Sequence, residues 1–375
     1  MECNITLSAC NVSTPDTVEY IEKSLLIQMI VLITFAVLGV GGNTIILATG
    51  VRGLFCGAEV RLRQEHAPSF ITNLAVADIL ILTYCVPLHL SQVKRVPMSE
   101  FVCRYLVPLR DMFALTSILT IMAISLERAI AIINPFSLES TQKYNKHGII
   151  VIWIVSYLIA GLPMAFVMTS HGGQFCWAIW SNVKLKNAHQ TSAILLIVLP
   201  GIITTLSYIF CLRSLHKFRQ RRKNSNESTG IQQWSFIKQT RSVSRIAVVL
   251  VAVFWLCNLP LVTYAVVANY ELIAPSQEVA TYTVTVLTCL FFGASVMNPI
   301  VLIAMSPLYR KSAVTCVQYI FSRGNHVIRY RSRVQFTRDT TNNRSEHISI
   351  ANNVDDGENN NANGFMLTAR KQSLG

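Results

Sequence analysis

The chain has 375 residues, of which 52% are hydrophobic and only 14% are charged, and its 32 Lys and Arg outnumber its 19 Asp and Glu. A soluble domain carries about 25% charged residues, so this composition excludes a soluble enzyme with one apolar core and a secreted disulfide scaffold. The charges are concentrated between apolar runs that are long enough to cross a bilayer. The sequence therefore predicts a membrane protein.

Seven apolar runs of about 20 residues or more follow one another along the chain. They cover residues 25–50, 69–91, 105–133, 148–168, 190–212, 246–270 and 279–305. We predict an all-α membrane protein with a seven-transmembrane helix bundle over residues 25–305. An extracellular segment (1–24) precedes the bundle, and a short amphipathic membrane-surface helix (306–321) and a disordered cytoplasmic tail (322–375) follow it. Because residues 1–24 lack the basic start of a cleavable signal peptide, the first helix is expected to act as the signal anchor.

The distribution of Lys and Arg predicts the orientation of the bundle. Of the 32 Lys and Arg residues, 25 lie in the first, third and fifth gaps between consecutive runs, at the inner end of the third run or in the tail. Another 6 lie in the amino-terminal segment or in the even-numbered gaps. This asymmetry predicts a multi-pass plasma-membrane protein with an extracellular amino terminus and a cytoplasmic carboxyl terminus. The basic inner face suits anionic lipid and acidic partner surfaces, and nucleic acid is not an expected partner. Sequons at Asn4 and Asn11 lie in the outer segment, where glycosylation reaches them.

Ten cysteines are divided between the two sides and the helices. Four of them, Cys3, Cys10, Cys103 and Cys176, face outward in this topology and allow three pairings. We favour a disulfide between Cys103 and Cys176, which ties the outer end of the third helix to the long gap before the fifth. Cys3 and Cys10 then either pair with each other or remain free.

Ionisable residues within the bilayer are costly and mark functional sites. In this chain they are Asp78 in the second run and Arg110, Asp111, Glu127 and Arg128 in the third. The 25 residues from Cys103 to Arg128 extend about 37 Å as a helix, which exceeds the hydrocarbon core of about 30 Å. Arg128 therefore lies at the cytoplasmic edge, and Arg110 and Ser117 share a helical face that points into the bundle.

One motif after another, in order along the seven runs, matches a known family. The matching residues are Gly42-Asn43, Asn73 to Asp78, Cys103, Glu127-Arg128, Trp153, Pro200, Tyr208, Phe254, Pro260 and Asn298-Pro299. The chain thus resembles a rhodopsin-like (class A) G-protein-coupled receptor over residues 25–321. The runs at 72–78 and 123–128 look most similar to those of neuropeptide receptors.

The resemblance implies a buried polar site and an activation switch. The polar site resembles the family's sodium and water site and comprises Asn43, Asp78, Ser117, Ser295 and Asn298. Asp78 is the expected ligand of an allosteric sodium ion, no other cofactor is expected, and purely structural polar packing is the alternative. The switch comprises Glu127, Arg128, Tyr208, Phe254 and Pro260. In it Glu127 holds Arg128 until activation, whereas an interfacial ion pair of little energetic value is the other interpretation.

Three positions depart from the pattern of the family. Asn258 stands where most members have a tryptophan two residues before Pro260, Ala129 follows the arginine in place of tyrosine, and Leu302 replaces another tyrosine after Pro299. Pro200 and Pro260 are expected to kink the fifth and sixth helices. We therefore hypothesise that the inactive state is held weakly and that basal signalling is raised.

The predicted ligand-binding residues are Arg110, Asp111, Asn258 and Trp177. Amine receptors carry an aspartate at the position of Arg110, and Phe292 replaces the lysine that binds retinal, so the resemblance argues against both ligands. Arg110 offers a guanidinium to an anion, and we expect a peptide bound through its carboxyl end, or alternatively a small anionic or lipid ligand. In a second interpretation another receptor group neutralises Arg110, but Asp111 is expected to face about 100° away and to be unsuited to that role.

The expected partners on the cytoplasmic side are a heterotrimeric G protein, arrestin, receptor kinases and membrane lipid. The G protein is assigned to the inner face around the basic run at 216–223, and Cys316 is a candidate for palmitoylation. The sequence contains no combination of catalytic residues typical of an enzyme among the helices, so no enzymatic activity is predicted. A receptor-fold protein that binds without signalling is the principal rival.

Overall fold

The computed structural model describes residues 15–50, 69–133, 138–173, 175–224, 231–269, 272, 275–307, 309–311 and 313–315. These residues form mainly α-helices. The helices are α1 (Pro15–Gly50), α2 (Ser69–Leu80), α3 (Val86–Val93), α4 (Leu109–Ile133), α5 (Leu138–Ser156), α6 (Leu162–Val167), α7 (Val183–Asn224), α8 (Ile231–Asn269) and α9 (Gln277–Met305).

Seven helical stretches of the described chain are long and apolar enough to cross a membrane. In chain order these spans are Glu19–Thr49, Phe70–Val93, Val102–Ile130, Tyr144–Val167, Val183–Ser214, Val248–Ala268 and Gln277–Met305. The predicted seven-helix bundle is confirmed. Side chains on the outside of the spans are apolar and exposed, as at Val37 and Leu256, which are both 69% exposed, because lipid rather than water covers this surface.

Several helices extend beyond the apolar runs that predicted them. The first begins at Pro15 instead of residue 25, and the fifth continues through its basic end to Asn224. Proline suits a first helical turn, and an ion pair one turn apart joins Glu19 to Lys23 at 2.6 Å. Hydropathy marks only the part of a helix that lipid covers, so the polar ends were missed.

Three π turns interrupt the spans, and each precedes a proline by two residues. They cover Ile81–Cys85, Val102–Leu106 and Tyr157–Gly161, ahead of Pro87, Pro108 and Pro163. Proline has no N–H to donate, and its ring clashes with the carbonyl four residues earlier in an α-helix. The wider turn accommodates this mismatch. Pro200 and Pro260, by contrast, lie within continuous α-helices, and the kinks expected there stay a prediction.

A β-hairpin links the fourth span to the fifth. Strands β1 (Met168–His171) and β2 (Phe175–Ala178) pair in antiparallel fashion, with Ser170 opposite Cys176. Gly172 in the connecting turn has a φ of 59°, a conformation that favours glycine. The predicted disulfide between Cys103 and Cys176 is present, so the hairpin is attached to the outer end of the third span. The sequence analysis did not predict these strands.

The first and seventh spans approach closely along a glycine face. A Cβ atom on Gly42 would lie 2.9 Å from Cβ of Pro299, whereas one on Gly41 would meet nothing within 4 Å. Gly42 therefore allows the backbone of the first span to contact the ring of Pro299. This contact places Asn43 beside the seventh span.

The segment after the seventh span is helical at residues 307, 309–311 and 313–315. Tyr309 in this segment is buried, and its burial raises the pKa of the phenol to about 12. The predicted features at Asn4, Asn11, Cys3, Cys10 and Cys316, together with the first inner loop and the tail, lie outside the described residues.

Candidate functional site

A cavity of about 490 Å³ lies inside the bundle, at the end that carries the hairpin, and residues from six spans, the second to the seventh, line it. Its volume is in the range of small-molecule and peptide-anchor pockets. Most of its wall is apolar, with Leu115, Ile118, Met164, Leu261 and Phe292 among the lining side chains. The polar lining residues are His89, Arg110, Asp111, His189, Gln190, Ser192 and Thr288.

Arg110 and Asp111 form an ion pair on the cavity wall. Nε of Arg110 donates to Oδ1 of Asp111 at 3.1 Å, and the two side chains are 31% and 32% exposed. This contact corrects the expectation that Asp111 is unsuited as the partner of Arg110. The Cα–Cβ bonds do diverge along the helix, but the long arginine side chain bends back to its neighbour. Arg110 is therefore not a lone cation in the cavity.

A chain of hydrogen bonds joins the cavity wall to the first span. Nε2 of His89 lies 3.0 Å from Oε1 of Gln28, and Nε2 of Gln28 donates to Oγ1 of Thr285 at 2.9 Å. Gln28 and Thr285 are buried, with 4% and 2% of their surface exposed. The sequence analysis missed this group. The feature of the sequence that could have revealed it is the amide side chain of Gln28 in a mainly apolar run.

Two of the four predicted ligand-binding residues do not line the cavity. Trp177 lies on β2, where its ring is 6.0 Å from that of His171. Asn258 is buried below the cavity and donates a hydrogen bond to the carbonyl of Phe254 at 2.8 Å. Arg110 and Asp111 are the two that the structure brings together on the cavity wall.

A smaller cavity of about 30 Å³ lies between the large cavity and the buried polar site. Both cavities share Ala114, Ile118 and Phe291 as walls. Ser117, Ser295 and Asn298 of the predicted polar network and Asn258 line the smaller one. Its volume is enough for about one water molecule. A single layer of side chains thus separates the ligand cavity from the polar core.

Asp78 is the centre of the polar core. Its side chain is fully buried, Oδ1 accepts from Oγ of Ser117 at 3.3 Å, and Oδ2 accepts from Nδ2 of Asn298 at 2.8 Å. Ser295 also donates to the carboxyl group. Asn43 does not reach Asp78 directly, and its amide donates instead to the backbone carbonyl of Ser295 at 2.9 Å. The structure therefore assembles the predicted network from four spans.

The oxygen-rich composition of this core fits a small hard cation. Within the described residues, no Lys or Arg forms an ion pair with Asp78, although a buried carboxylate normally requires a partner. The same part of the chain holds no group of three or more His, Cys, Asp or Glu side chains suited to a metal ion. One carboxylate together with the hydroxyls of Ser117 and Ser295 and the amide of Asn298 is a donor set that fits a monovalent cation.

At the end of the bundle opposite the hairpin, Glu127 and Arg128 do not form the expected ion pair in the part of the chain that the structure describes. Oε1 of Glu127 accepts a hydrogen bond from Nδ2 of Asn145 at 3.0 Å, and none of the ion pairs of the described residues joins Glu127 to Arg128. Asn145 lies in the first turn of the fourth span and is buried. Glu127, which was expected to pair with Arg128, thus accepts a hydrogen bond from the amide of Asn145 instead.

Three polar atoms in this region are buried without a hydrogen-bond partner among the described residues. They are Oε2 of Glu127, Nε of Arg128 and the hydroxyl of Tyr208. The other predicted switch residue with a buried side chain, Phe254, belongs to the same apolar cluster as Leu74 and Ile118 and meets Trp255 edge to face. Unsatisfied buried polar atoms are rare in folded proteins, and these lie where the switch was predicted.

The carboxylate of Glu100 fastens the hairpin to the outer end of the third span. Oε2 accepts from the backbone N–H of Ser170 at 2.6 Å and from the hydroxyl of Thr169 at 2.9 Å, and Oε1 pairs with Arg104 at 3.0 Å. The hydrogen bond from Ser170, followed by that from Thr169, holds the pKa of Glu100 below its usual value of 4.5. The sequence analysis missed this second attachment, because nothing in the spacing links residue 100 to residue 170.

Comparison with known proteins agrees with this architecture. The sequence pattern of the family described as 7 transmembrane receptor (rhodopsin family) matches residues 54–302. The chain belongs to this family. The predicted resemblance to rhodopsin-like receptors is therefore confirmed, and the protein is a multi-pass membrane receptor.

Individual relatives are distant but cover most of the receptor. A QRFP-like peptide receptor of Branchiostoma floridae is 25% identical over 66% of this chain and 68% of its own length. Galanin receptor type 1 of Rattus norvegicus is 24% identical over 76% of this chain and 81% of its own. The urotensin-2 receptor of Bos taurus is 27% identical over 75% of this chain and 70% of its own.

Proposed function

We propose that this receptor binds an extracellular peptide and activates a heterotrimeric G protein at the plasma membrane. The observation that carries the proposal is the cavity of about 490 Å³, which lies inside a rhodopsin-family bundle at the end that carries the hairpin. The excess of Lys and Arg in the opposite gaps supports an extracellular location for that end. The amino terminus is then extracellular and the carboxyl terminus cytoplasmic.

The lining of the cavity supports a peptide ligand. It combines apolar walls with donors and acceptors from four spans, among them His89, Arg110, Asp111 and Gln190. Such a surface suits a backbone and mixed side chains better than it suits a purely apolar lipid. The relatives named as a QRFP-like peptide receptor, a galanin receptor and a urotensin-2 receptor favour the same ligand class.

The two cavities give ligand binding a physical route to the polar core. A ligand that moves Ala114, Ile118 or Phe291 changes the wall of the smaller cavity at the same time. That cavity is lined by residues that also surround Asp78. When bound there, a sodium ion would neutralise the carboxylate, and Asp78, Ser117, Ser295 and Asn298 would hold it. Sodium and agonist would then favour different packings of the same core.

Signal transfer at the inner face is assigned to the residues around Arg128. The unsatisfied atoms of Glu127, Arg128 and Tyr208 offer hydrogen-bonding groups to a cytoplasmic protein once the spans separate. Arrestin and receptor kinases are the further partners that we propose for the inner face and the tail, with membrane lipid around the bundle.

The test is to express the receptor and measure activation of each Gα class with and without peptides. The library contains galanin, urotensin-2 and a wider set of neuropeptides, and Arg128→Ala at matched surface expression is the control. Activation by one peptide that Arg128→Ala abolishes supports the proposal. A receptor that reaches the surface but activates no Gα class with any peptide contradicts it.

A second candidate is a receptor that binds a ligand without signalling. Ala129, Asn258 and Leu302 replace residues that the family uses during activation. Surface binding of a labelled peptide without nucleotide exchange on any Gα class is the result that would select this candidate.

A further inference from the structure

Trp255 of the sixth span is hydrogen-bonded to the fifth span. Its indole Nε1 donates to Oγ1 of Thr205 at 2.9 Å, and the hydroxyl of Thr205 donates in turn to the backbone carbonyl of Gly201 at 2.8 Å. An indole N–H can only donate, whereas a hydroxyl carries one proton and also accepts, so the direction of both bonds is fixed. Thr205 therefore links the side chain of Trp255 to the backbone of the fifth span.

A glycine in the fifth span makes room for the ring of Trp255. A Cβ atom on Gly201 would lie 2.7 Å from Cζ2 and 2.9 Å from Cη2 of Trp255, and 2.7 Å from Cε1 of Phe254. Any larger residue at this position would push one of the two rings away. The rings of Phe254 and Trp255 meet edge to face, with their centroids 5.5 Å apart. The indole is thus held by a hydrogen bond at its nitrogen and by close packing at its six-membered ring.

This contact lies beside the point at which each of the two helices contains a proline. Pro200 precedes Gly201 in the fifth span, and Pro260 follows Trp255 by five residues in the sixth. A proline inside a helix has no N–H to donate to the carbonyl four residues earlier, which makes bending at that point easier. Trp255 and Thr205 both lie on the side of these prolines that is away from the hairpin. They therefore join the two helix segments whose separation the prolines permit.

The same part of the fifth span carries a residue of the predicted switch. Tyr208 lies one turn beyond Thr205, and its hydroxyl and Nε of Arg128 are buried without a hydrogen-bond partner among the described residues. Both groups reach a cytoplasmic protein only when the spans around them separate. A bond that ties Thr205 to the sixth span opposes this separation.

We propose that Trp255 and Thr205 form a latch that holds the fifth and sixth spans together and restrains the basal activity of the receptor. This inference rests on the proposed function of G-protein activation and adds to it a residue pair that controls the response. Trp255 is a positioning residue, because it acts on Tyr208 and Arg128 through the packing of two spans.

The latch is connected to the large cavity through one apolar cluster. Ile118 and Phe254 belong to this cluster, and Ile197 and Trp255 pack against it. Ile118 and Ile197 also line the large cavity. A ligand that moves either isoleucine therefore changes the packing around Trp255, because a close-packed interior transmits small displacements. Agonist binding and release of the latch are coupled in this way.

The first test measures basal nucleotide exchange of the full-length receptor at matched surface expression. Trp255→Phe removes the N–H donor, and Thr205→Val removes its acceptor while keeping the shape of the side chain. Each should raise basal exchange by about fivefold, the shift in equilibrium expected for the loss of one hydrogen bond. Thr263→Val is the matched control, because the exposed hydroxyl of Thr263 donates to the carbonyl of Leu259 in its own helix. Basal exchange equal to that of the wild type in both latch variants overturns the inference.

Two further variants separate the latch from a general loss of packing. Thr205→Ser keeps the hydroxyl and should keep basal exchange at the level of the wild type. When Trp255→Phe is combined with Thr205→Val, basal exchange should match that of either single variant, because both changes remove the same bond. Multiplied effects in the combined variant, or an increase in Thr205→Ser as large as that in Thr205→Val, overturn the inference.

Fluorine labelling of the five tryptophans follows the latch directly in the purified receptor. The fluorine resonance that is absent from Trp255→Phe belongs to Trp255. It should move in Thr205→Val and stay in place in Thr263→Val. When a peptide that activates the wild type is added, it should move in the same direction as in Thr205→Val. A resonance that an activating peptide leaves unchanged overturns the inference, whereas a wild type that activates no Gα class with any peptide contradicts the proposed function itself.

Discussion

Asn145 donates a hydrogen bond to Glu127 at 3.0 Å, and this contact leaves Arg128 without an acidic partner in the part of the chain that the structure describes. Both Asn145 and Glu127 are buried, so the bond is shielded from competing water. An amide has replaced an arginine as the partner of the acid. The structure therefore lacks, among its described residues, the contact that was expected to restrain Arg128.

Replacement of Asn145 by Leu should lower basal signalling. The wild-type receptor is expected to exchange nucleotide without agonist, because Arg128 is not held. In Asn145→Leu the carboxylate of Glu127 loses its hydrogen bond and gains most by pairing with Arg128. Basal exchange at matched surface expression is the measurement, and Tyr144→Leu, at an exposed neighbouring position, is the control. Basal exchange of the wild type equal to that of mock-transfected cells would refute the hypothesis.

Neutralising both members of the Arg110–Asp111 pair should separate folding from binding. Arg110→Gln or Asp111→Asn alone leaves one partly buried charge without its partner, so each should reduce surface expression. The double variant removes both charges and should restore expression, whereas peptide potency should stay reduced by about tenfold or more, since the guanidinium donors are lost. Antibody labelling of intact cells and concentration–response curves supply the two readouts. Recovery of potency in the double variant would mean that Arg110 does not contact the ligand.

Sodium should weaken agonist binding through Asp78. The carboxylate is fully buried and surrounded by oxygen and amide groups, so a bound cation stabilises the packing that excludes agonist movement. Agonist affinity of the wild type should fall as sodium chloride replaces N-methylglucamine chloride at constant ionic strength. Asp78→Asn keeps the size of the side chain and should abolish this dependence. A sodium effect that persists in the variant would place the ion elsewhere.

The contribution of Glu100 to stability should depend on pH. Its pKa is lowered in the folded receptor from 4.5 by the hydrogen bond from Ser170 and by further contacts. A carboxyl group whose pKa is lower in the folded than in the unfolded state contributes its full stabilisation above the unfolded pKa. This stabilisation is lost as the pH falls through the folded pKa. The melting temperature of the purified receptor should therefore exceed that of Glu100→Gln at neutral pH, and the difference should shrink below pH 4.5. Glu22→Gln is the control for an exposed glutamate. If the difference in melting temperature between the wild type and Glu100→Gln stays constant down to acid pH, the contact of Glu100 with Ser170 is not the source of that difference.

Gly42→Ala should destabilise the contact between the first and seventh spans. The added Cβ would lie 2.9 Å from Cβ of Pro299, a ring that cannot rotate away. Overpacking of this kind reduces stability by about 1–3 kcal/mol. Gly41→Ala is the matched control, because nothing lies within 4 Å of its added Cβ. The melting temperatures of the two purified variants provide the comparison, and equal values would contradict the close approach.

The limits of sequence reasoning are clearest at individual contacts between side chains. Arg110 and Asp111 were both predicted to bind ligand, yet their mutual contact depends on the rotamer of a long side chain, which helical periodicity does not specify. The contacts of Glu127 with Asn145 and of His89 with Gln28 join different spans. No local pattern in the sequence encodes which faces of two helices pack together.

The sequence by itself determined the seven spans and the family, predicted the orientation of the spans, and favoured the pairing of Cys103 with Cys176. These features follow from apolar length, from the bias of basic residues and from motifs at fixed positions, all of which are local properties of the chain. The tertiary structure alone decided which polar groups satisfy one another inside the bundle. A bilayer offers no water to buried polar groups, so their partners come from within the protein. Packing between spans that lie far apart in sequence decides which partner each group finds.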